Sequence, residues 1–159
     1  MKSPASRFTR LIAGLGTTAA ILTGLAPNAA NAADGKDYTA LGCRAYSSTV
    51  EPRVTTVGIY NSQSSFASYM CPAIHDEGGS GLSSAVAYFT SPTVSVVSCT
   101  IYSTYPVTGS YRYQNRYMQQ SGRRALYFGA IGGYTNGLYS IICSLPPGGQ
   151  LHGYTMNEG

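Results

Sequence analysis

The stretch NGLYSIICSLPP, residues 136–147, opens on an Asn-Gly turn signal, runs through strand-forming residues and stops at a double proline. Read with period two, Tyr139, Ile141, Cys143 and Leu145 share one face of the strand it predicts. Leu138, Ser140, Ile142 and Ser144 share the other. The first face is the more apolar and carries a cysteine, which suits a strand meeting a partner across a core. Val94 to Tyr102 has the same character, with Val97, Cys99 and Ile101 on one face. Two such segments predict a small β-protein stapled through its strands.

Outward from these segments the chain repeats the pattern. Val54 to Asn61 reads as a strand rich in β-branched residues, and Phe66 to Cys71 as a short one ended by Pro72. Ser84 to Thr90 is another, closed by a Ser91-Pro92 turn, and Tyr105-Pro106 with Gly109 closes the Cys99 strand. Tyr111 to Met118 alternates most cleanly: Tyr111, Tyr113, Asn115 and Tyr117 face one way, Arg112, Gln114, Arg116 and Met118 the other. Ser121 to Arg124 reads as a turn, Ala125 to Ile131 as the next strand and Leu151 to Met156 as the last. Residues 33–41 are polar and read as loose until Cys43 ties them down. About eight or nine short strands at roughly ten-residue spacing, with no amphipathic helix, predict an all-β sandwich or barrel. Two inter-strand disulfides and uneven loops favour a single antiparallel β-sandwich.

Residues 1–32 read as a secretory signal peptide. Lys2, Arg7 and Arg10 form a positive start, Leu11 to Leu25 an apolar Gly- and Ala-rich run, and Ala30-Asn31-Ala32 a small-x-small cleavage site. Residues 33–159 are then the mature domain, long enough to own a core, with no membrane span. Removing the signal removes three of the ten Lys and Arg. Seven remain against six acidic residues, a net charge near +1 in place of +4. General attraction to nucleic acid or to acidic membranes does not follow. All fourteen tyrosines lie in the mature part, which has no tryptophan, a composition that suits an extracellular or periplasmic β-protein. Four cysteines after an export signal imply two disulfides. Three pairings are possible; Cys43–Cys71 and Cys99–Cys143 keep each bridge between segments that could be neighbours and are the expected pair. Loop closure of that size is worth roughly 3.5 and 4 kcal/mol.

Three segments resemble a group of small, uncharacterised secreted bacterial β-proteins with four cysteines. These are Gly58 to Ser62 followed by Met70-Cys71-Pro72-Ala73-Ile74 and Asp76, then Val97 to Tyr102, and then Tyr139 to Pro147 with its Cys-x-Leu-Pro-Pro. The resemblance implies a secreted β-fold and the roles of the cysteines, and no activity. His75 stands where the pattern leads one to expect a basic residue.

Catalytic signatures are thin. The mature part has two histidines, His75 and His152, with neither a GxSxG elbow nor an HExxH helix. His75-Asp76-Glu77 could supply an acid–base pair, although adjacent residues on an extended loop point apart. Asp76 and Glu77 could also contribute to a calcium site, but they lack the spaced acids of a dedicated loop. The expectation is therefore a non-enzymatic domain with no cofactor and no metal. The richer stretch is Tyr111 to Arg124, YRYQNRYMQQSGRR, which holds four of the seven mature basic residues. Arg112, Tyr113, Arg116, Tyr117, Arg123 and Arg124 are the candidate binding residues, arginine for anionic groups and tyrosine for stacking on sugars. Three readings follow: a structural or interaction role at the cell envelope or extracellular matrix, with self as a partner; a binder of acidic polysaccharide or another polyanion through an Arg/Tyr strand face; and a small secreted hydrolase using His75 or His152. The arginines could equally protect an edge strand from pairing, and the tyrosines could pack half-buried on sheet faces or form an aromatic platform.

Overall fold

Alternating apolar residues build nine antiparallel strands among the described residues of the computed structural model, which are 35–47, 49–74, 81–134 and 136–159. They are β1 (Gly35–Thr39), β2 (Arg44–Ala45), β3 (Arg53–Thr55), β4 (Gly58–Tyr60), β5 (Ala67–Ala73), β6 (Leu82–Tyr105), β7 (Ser110–Phe128), β8 (Leu138–Leu145) and β9 (Gln150–Glu158). A 3-10 turn, Ala40–Gly42, links β1 to β2. The long β6–β7 hairpin is the spine. The first half of β6 pairs with β9 and its second half with β8, while β7 follows β6 along the opposite side through both halves. One half-sheet therefore runs β2-β5-β8-β6-β7. The other runs β3-β4-β9-β6-β7, with β1 pairing β9 beyond the end of β4.

The two half-sheets close on one core. Val97, Cys99, Ile101, Ile141, Cys143 and Leu145 come from one; Ala85, Ala87, Phe89, Leu126, Leu151 and Met156 come from the other. The faces read from period two around Cys99 and Cys143 are the buried ones. Both disulfides are the expected ones, Cys43–Cys71 and Cys99–Cys143, each with its Cα atoms 4.1 Å apart. Cys99 and Cys143 sit directly opposite one another on β6 and β8. These described residues belong to a unit spanning 31–159, and no helix among them is long and apolar enough to cross a membrane.

Several local expectations change. Ser91-Pro92 and Ser121 to Arg124 are not turns but a shared bend: the β6–β7 register shifts between Ser91 and Ser95, and Gly122 takes φ +80°. Extra residues on one strand bend both, so each strand passes from one layer to the other. Val54 to Asn61 is not one strand but the β3–β4 hairpin. Gly58 permits it, because a Cβ there would meet the Leu151 carbonyl oxygen at 2.1 Å, and its φ is +141°. Residues 35–39 are not loose. They form β1, held by the β9 ladder, by Tyr38 stacked on Tyr154 at 5.1 Å and by Lys36 Nζ 3.8 Å from Glu158. Pro72 lies inside β5, opposite Ser140 and past the end of β2, where a missing N–H breaks no ladder bond.

Candidate functional site

Strand parity decides what the core-facing cysteines leave outside. On β6, Ser98, Thr100, Tyr102 and Thr104 alternate with the buried residues; on β8, Leu138, Ser140, Ile142 and Ser144 do the same; on β5, Ser68, Met70 and Pro72. The ladders align these into rows: Pro72, Ser140, Tyr102 and Tyr113 form one, and Met70, Ile142, Thr100 and Asn115 the next. Tyr102, Tyr111 and Tyr113 cluster there, with ring centroids 6.0, 6.0 and 6.1 Å apart. Tyr113 is 62% and Tyr117 73% exposed. Burial raises the Tyr102 phenol above its ordinary value, and the neighbouring Tyr46, Tyr111 and Tyr113 raise it further.

Beside the rings runs a groove. A hollow of about 340 Å³ lies between Tyr46, Met70, Tyr102 and Tyr111. It continues into one of about 540 Å³ bordered by Arg44, Pro72 and Leu138, the two sharing Tyr46, Met70, Thr104 and Ser140. The face thus offers flat aromatic rings and short hydroxyl side chains. Asn115 is held on it by a bond from its Nδ2 to Thr100 Oγ1 at 2.7 Å.

The six sequence-derived candidates do not share this face. Tyr113, Tyr117 and Arg123 lie on the outer side of β7, in line with Tyr102, Ser98 and Thr90 respectively. Arg112, Arg116 and Arg124 have the opposite parity, in line with Ser103, Cys99 and Phe89. No single ligand lying on one face reaches all six. Arg112 is already engaged: its guanidinium carbon sits 4.8 Å above the Tyr134 ring and Nη1 donates to the Gly133 carbonyl at 3.4 Å. Arg124 donates to Gln120 at 2.7 Å. Sequence reading missed Tyr46, Tyr102 and the groove floor at Met70. The signal was there in the residues between the buried positions of β6 and β8, outward by the same period that buries the cysteines.

His75, Asp76 and Glu77 lie outside the described residues. His152 is the extra residue of a bulge in β9, between the positions opposite Tyr88 and Phe89. Its Nδ1 is 3.2 Å from the Val57 carbonyl, so that nitrogen carries the proton, and Nε2 accepts from Thr90 Oγ1 at 2.7 Å. Both ring nitrogens are used, and the imidazole ties the β3–β4 turn to β6. With His152, Asp37 and Arg123 border a separate hollow of about 340 Å³, where Asp37 accepts from Thr155 Oγ1 at 2.5 Å. Among the described residues no three His, Cys, Asp or Glu side chains gather as metal ligands would.

No family model matches the chain, and no curated protein matches it in sequence. Among solved structures it is similar to the CBM36-1 domain of a multidomain xylanase from the hindgut metagenome of Trinervitermes trinervoides. The TM-score is 0.46 at 9% identity, over 79% of this chain and 93% of that one. It is also similar to the Podospora anserina GH26-CBM35 β-(1,4)-mannanase, with a TM-score of 0.42 at 11% identity, over 79% of this chain and 28% of that one.

Proposed function

We propose that this chain is an exported, non-catalytic binding domain whose ligand is a largely uncharged glycan laid along the outer face of β5, β8, β6 and β7. The observation that carries the reading is the cluster of Tyr102, Tyr111 and Tyr113 within 6.1 Å of one another on an exposed face beside a groove. A sugar ring has a flat C–H face that packs on a phenol ring, and hydroxyls around its rim that need hydrogen-bond partners. Ser140, Thr104 and the tyrosine hydroxyls supply such partners here. The arginine count argues against a polyanion on this face, because Arg112, Arg116 and Arg124 lie on the other side of β7. Arg44 alone among the basic residues of β2 and β7 borders it, Arg123 lying past the bend beside His152.

Affinity electrophoresis against neutral polysaccharides and against alginate and hyaluronate, at low and high salt, tests this. Retardation by a neutral polymer should persist in salt, fall at least tenfold for Tyr113→Ala, and survive Arg116→Ala. Retardation confined to the acidic polymers, lost with salt and with Arg116→Ala, would overturn it.

A further inference from the structure

We propose that β7 is a homophilic edge: two copies of this chain pair antiparallel through residues 111–119 about a two-fold axis at Asn115, joining their half-sheets into one. The proposal does not depend on what the tyrosine face binds.

Among the described residues β7 pairs with β6 alone, so its other side is an open row of backbone donors and acceptors. Edges of this kind are usually blunted by proline, a bulge or charged side chains, lysine above all; the charges here are Arg112 and Arg116, whose guanidinium groups reach the Gly133 and Asn115 carbonyls. Residues 110–120 contain no proline and no lysine, and their register with β6 is unbroken from Tyr105/Ser110 to Ser95/Gln120. Extended pairing is therefore geometrically available until the bend at Gly122.

The direction of the open groups follows from the disulfide. Cys99 and Cys143 face each other across β6 and β8 with Cα atoms 4.1 Å apart, the spacing of a pair that exchanges no backbone hydrogen bonds. The Cys99 N–H and C=O then point to β7 and bond Arg116, its partner there. By alternation Arg112, Gln114, Arg116 and Met118 spend their backbone groups on β6, while Tyr111, Tyr113, Asn115, Tyr117 and Gln119 present theirs to the open side. A side-chain contact agrees with this: the Asn115 carbonyl is reached by Arg116 Nη1 at 3.1 Å, as a carbonyl without a strand partner can be.

The side chains select the axis. A two-fold at Asn115 sets Asn115 against itself, Tyr113 against Tyr117 and Tyr111 against Gln119, so open groups meet open groups and aromatic residues form cross-strand pairs. On the opposite face Gln114 meets Arg116 and Arg112 meets Met118. Moving the axis to Gln114 would set Arg112 against Arg116, and moving it to Arg116 would set that residue against itself. An axis at Tyr113 runs into the turn at 106–109. Pairing by strand addition supplies main-chain hydrogen bonds, and alternate side chains set the register. The guanidinium of Arg116 leaves the Asn115 carbonyl and turns to Gln114 of the second copy.

Sedimentation velocity of the oxidised protein, expressed from the full-length sequence and free of glycan, provides the test. The wild type should show a concentration-dependent dimer. Asn115→Pro removes an N–H that points away from β6 and should weaken the dimer at least tenfold, while Asn115→Ala keeps that N–H and should stay within about threefold. Should Asn115→Pro fail to fold, a charge pair decides instead. Y113K/Y117K opposes like charges twice and should be monomeric; Y113K/Y117E opposes unlike charges twice and should dimerise again. A wild type that stays monomeric up to about 1 mM would overturn the proposal, given that even weak specific edges associate by then. So would a dimer indifferent to Asn115→Pro and to the lysine pair.

Discussion

Strands β6 and β7 lie side by side in one hairpin, yet they spend their side chains differently. Every second residue of β6 from Val97 to Ser103 is buried, whereas β7 from Ser110 to Gly122 has no buried residue on either face. Position in the sheet explains this. β6 has neighbours on both sides and an opposing layer beneath it, while among the described residues β7 has β6 on one side only. The contrast teaches where function can reside. The residues of β6 that point inward are accounted for by packing; the tyrosines of β7 from Tyr111 to Tyr117 are not.

The contrast can be broken at its strongest point first. Replacing Cys99 and Cys143 together by serine removes a covalent link between β6 and β8 that closes a loop of 44 residues' separation. Urea unfolding should then show a loss of about 4 kcal/mol. A loss below about 1 kcal/mol would mean that the β6–β8 layer does not depend on its staple.

A smaller effect separates the two populations of tyrosine. Tyr69, Tyr139 and Tyr154 are buried, and burial raises each phenol above the ordinary value near 10. Tyr38 adds to the rise at Tyr154, whose hydroxyl donates to the Pro72 carbonyl, and Glu158 adds to it at Tyr139. These groups keep their protons to higher pH when folded than when unfolded. Their contribution is therefore fully present below about pH 10 and is lost as the pH rises above that. Urea midpoints measured at pH 7, 9 and 11 should hold between the first two and fall at the third; a midpoint unchanged at pH 11 would contradict the burial of these rings.

Much of the fold was legible because period two is a strong signal wherever one face is buried. The inward faces around Cys99 and Cys143 follow from it; the turn at Pro106 to Gly109 is announced by its proline and glycine, and the disulfides, one of three possible pairings, by joining segments that could be neighbours. Other features were hidden for physical reasons. Val54 to Val57 carries strand-forming side chains through a reversal that Gly58 alone announces. Asn61, polar and at the end of the Val54 to Asn61 segment, is fully buried. Its Nδ2 reaches the carbonyls of Ser65, Leu145 and Pro146, and its Oδ1 accepts from Gln63 N–H and the Tyr69 hydroxyl. The candidate site was half legible. The alternation of Tyr111 to Met118 is correct, but that same alternation separates the arginines from the tyrosines. Tyr102 meets Tyr111 and Tyr113 across the β6–β7 hairpin, whereas Tyr46 joins them only through the pairing of β2 with β5 and of β5 with β8, which no local pattern encodes.

The most direct test of the central claim, that β7 serves recognition and not the core, is the unfolding free energy of the oxidised Tyr111→Ala/Tyr113→Ala/Tyr117→Ala variant beside that of Phe89→Ala. Phe89 is fully buried on β6. The account predicts a loss of about 3–5 kcal/mol for Phe89→Ala and of no more than about 1.5 kcal/mol for the triple variant. A triple variant as destabilised as Phe89→Ala would make the tyrosines of β7 structural and would contradict the account.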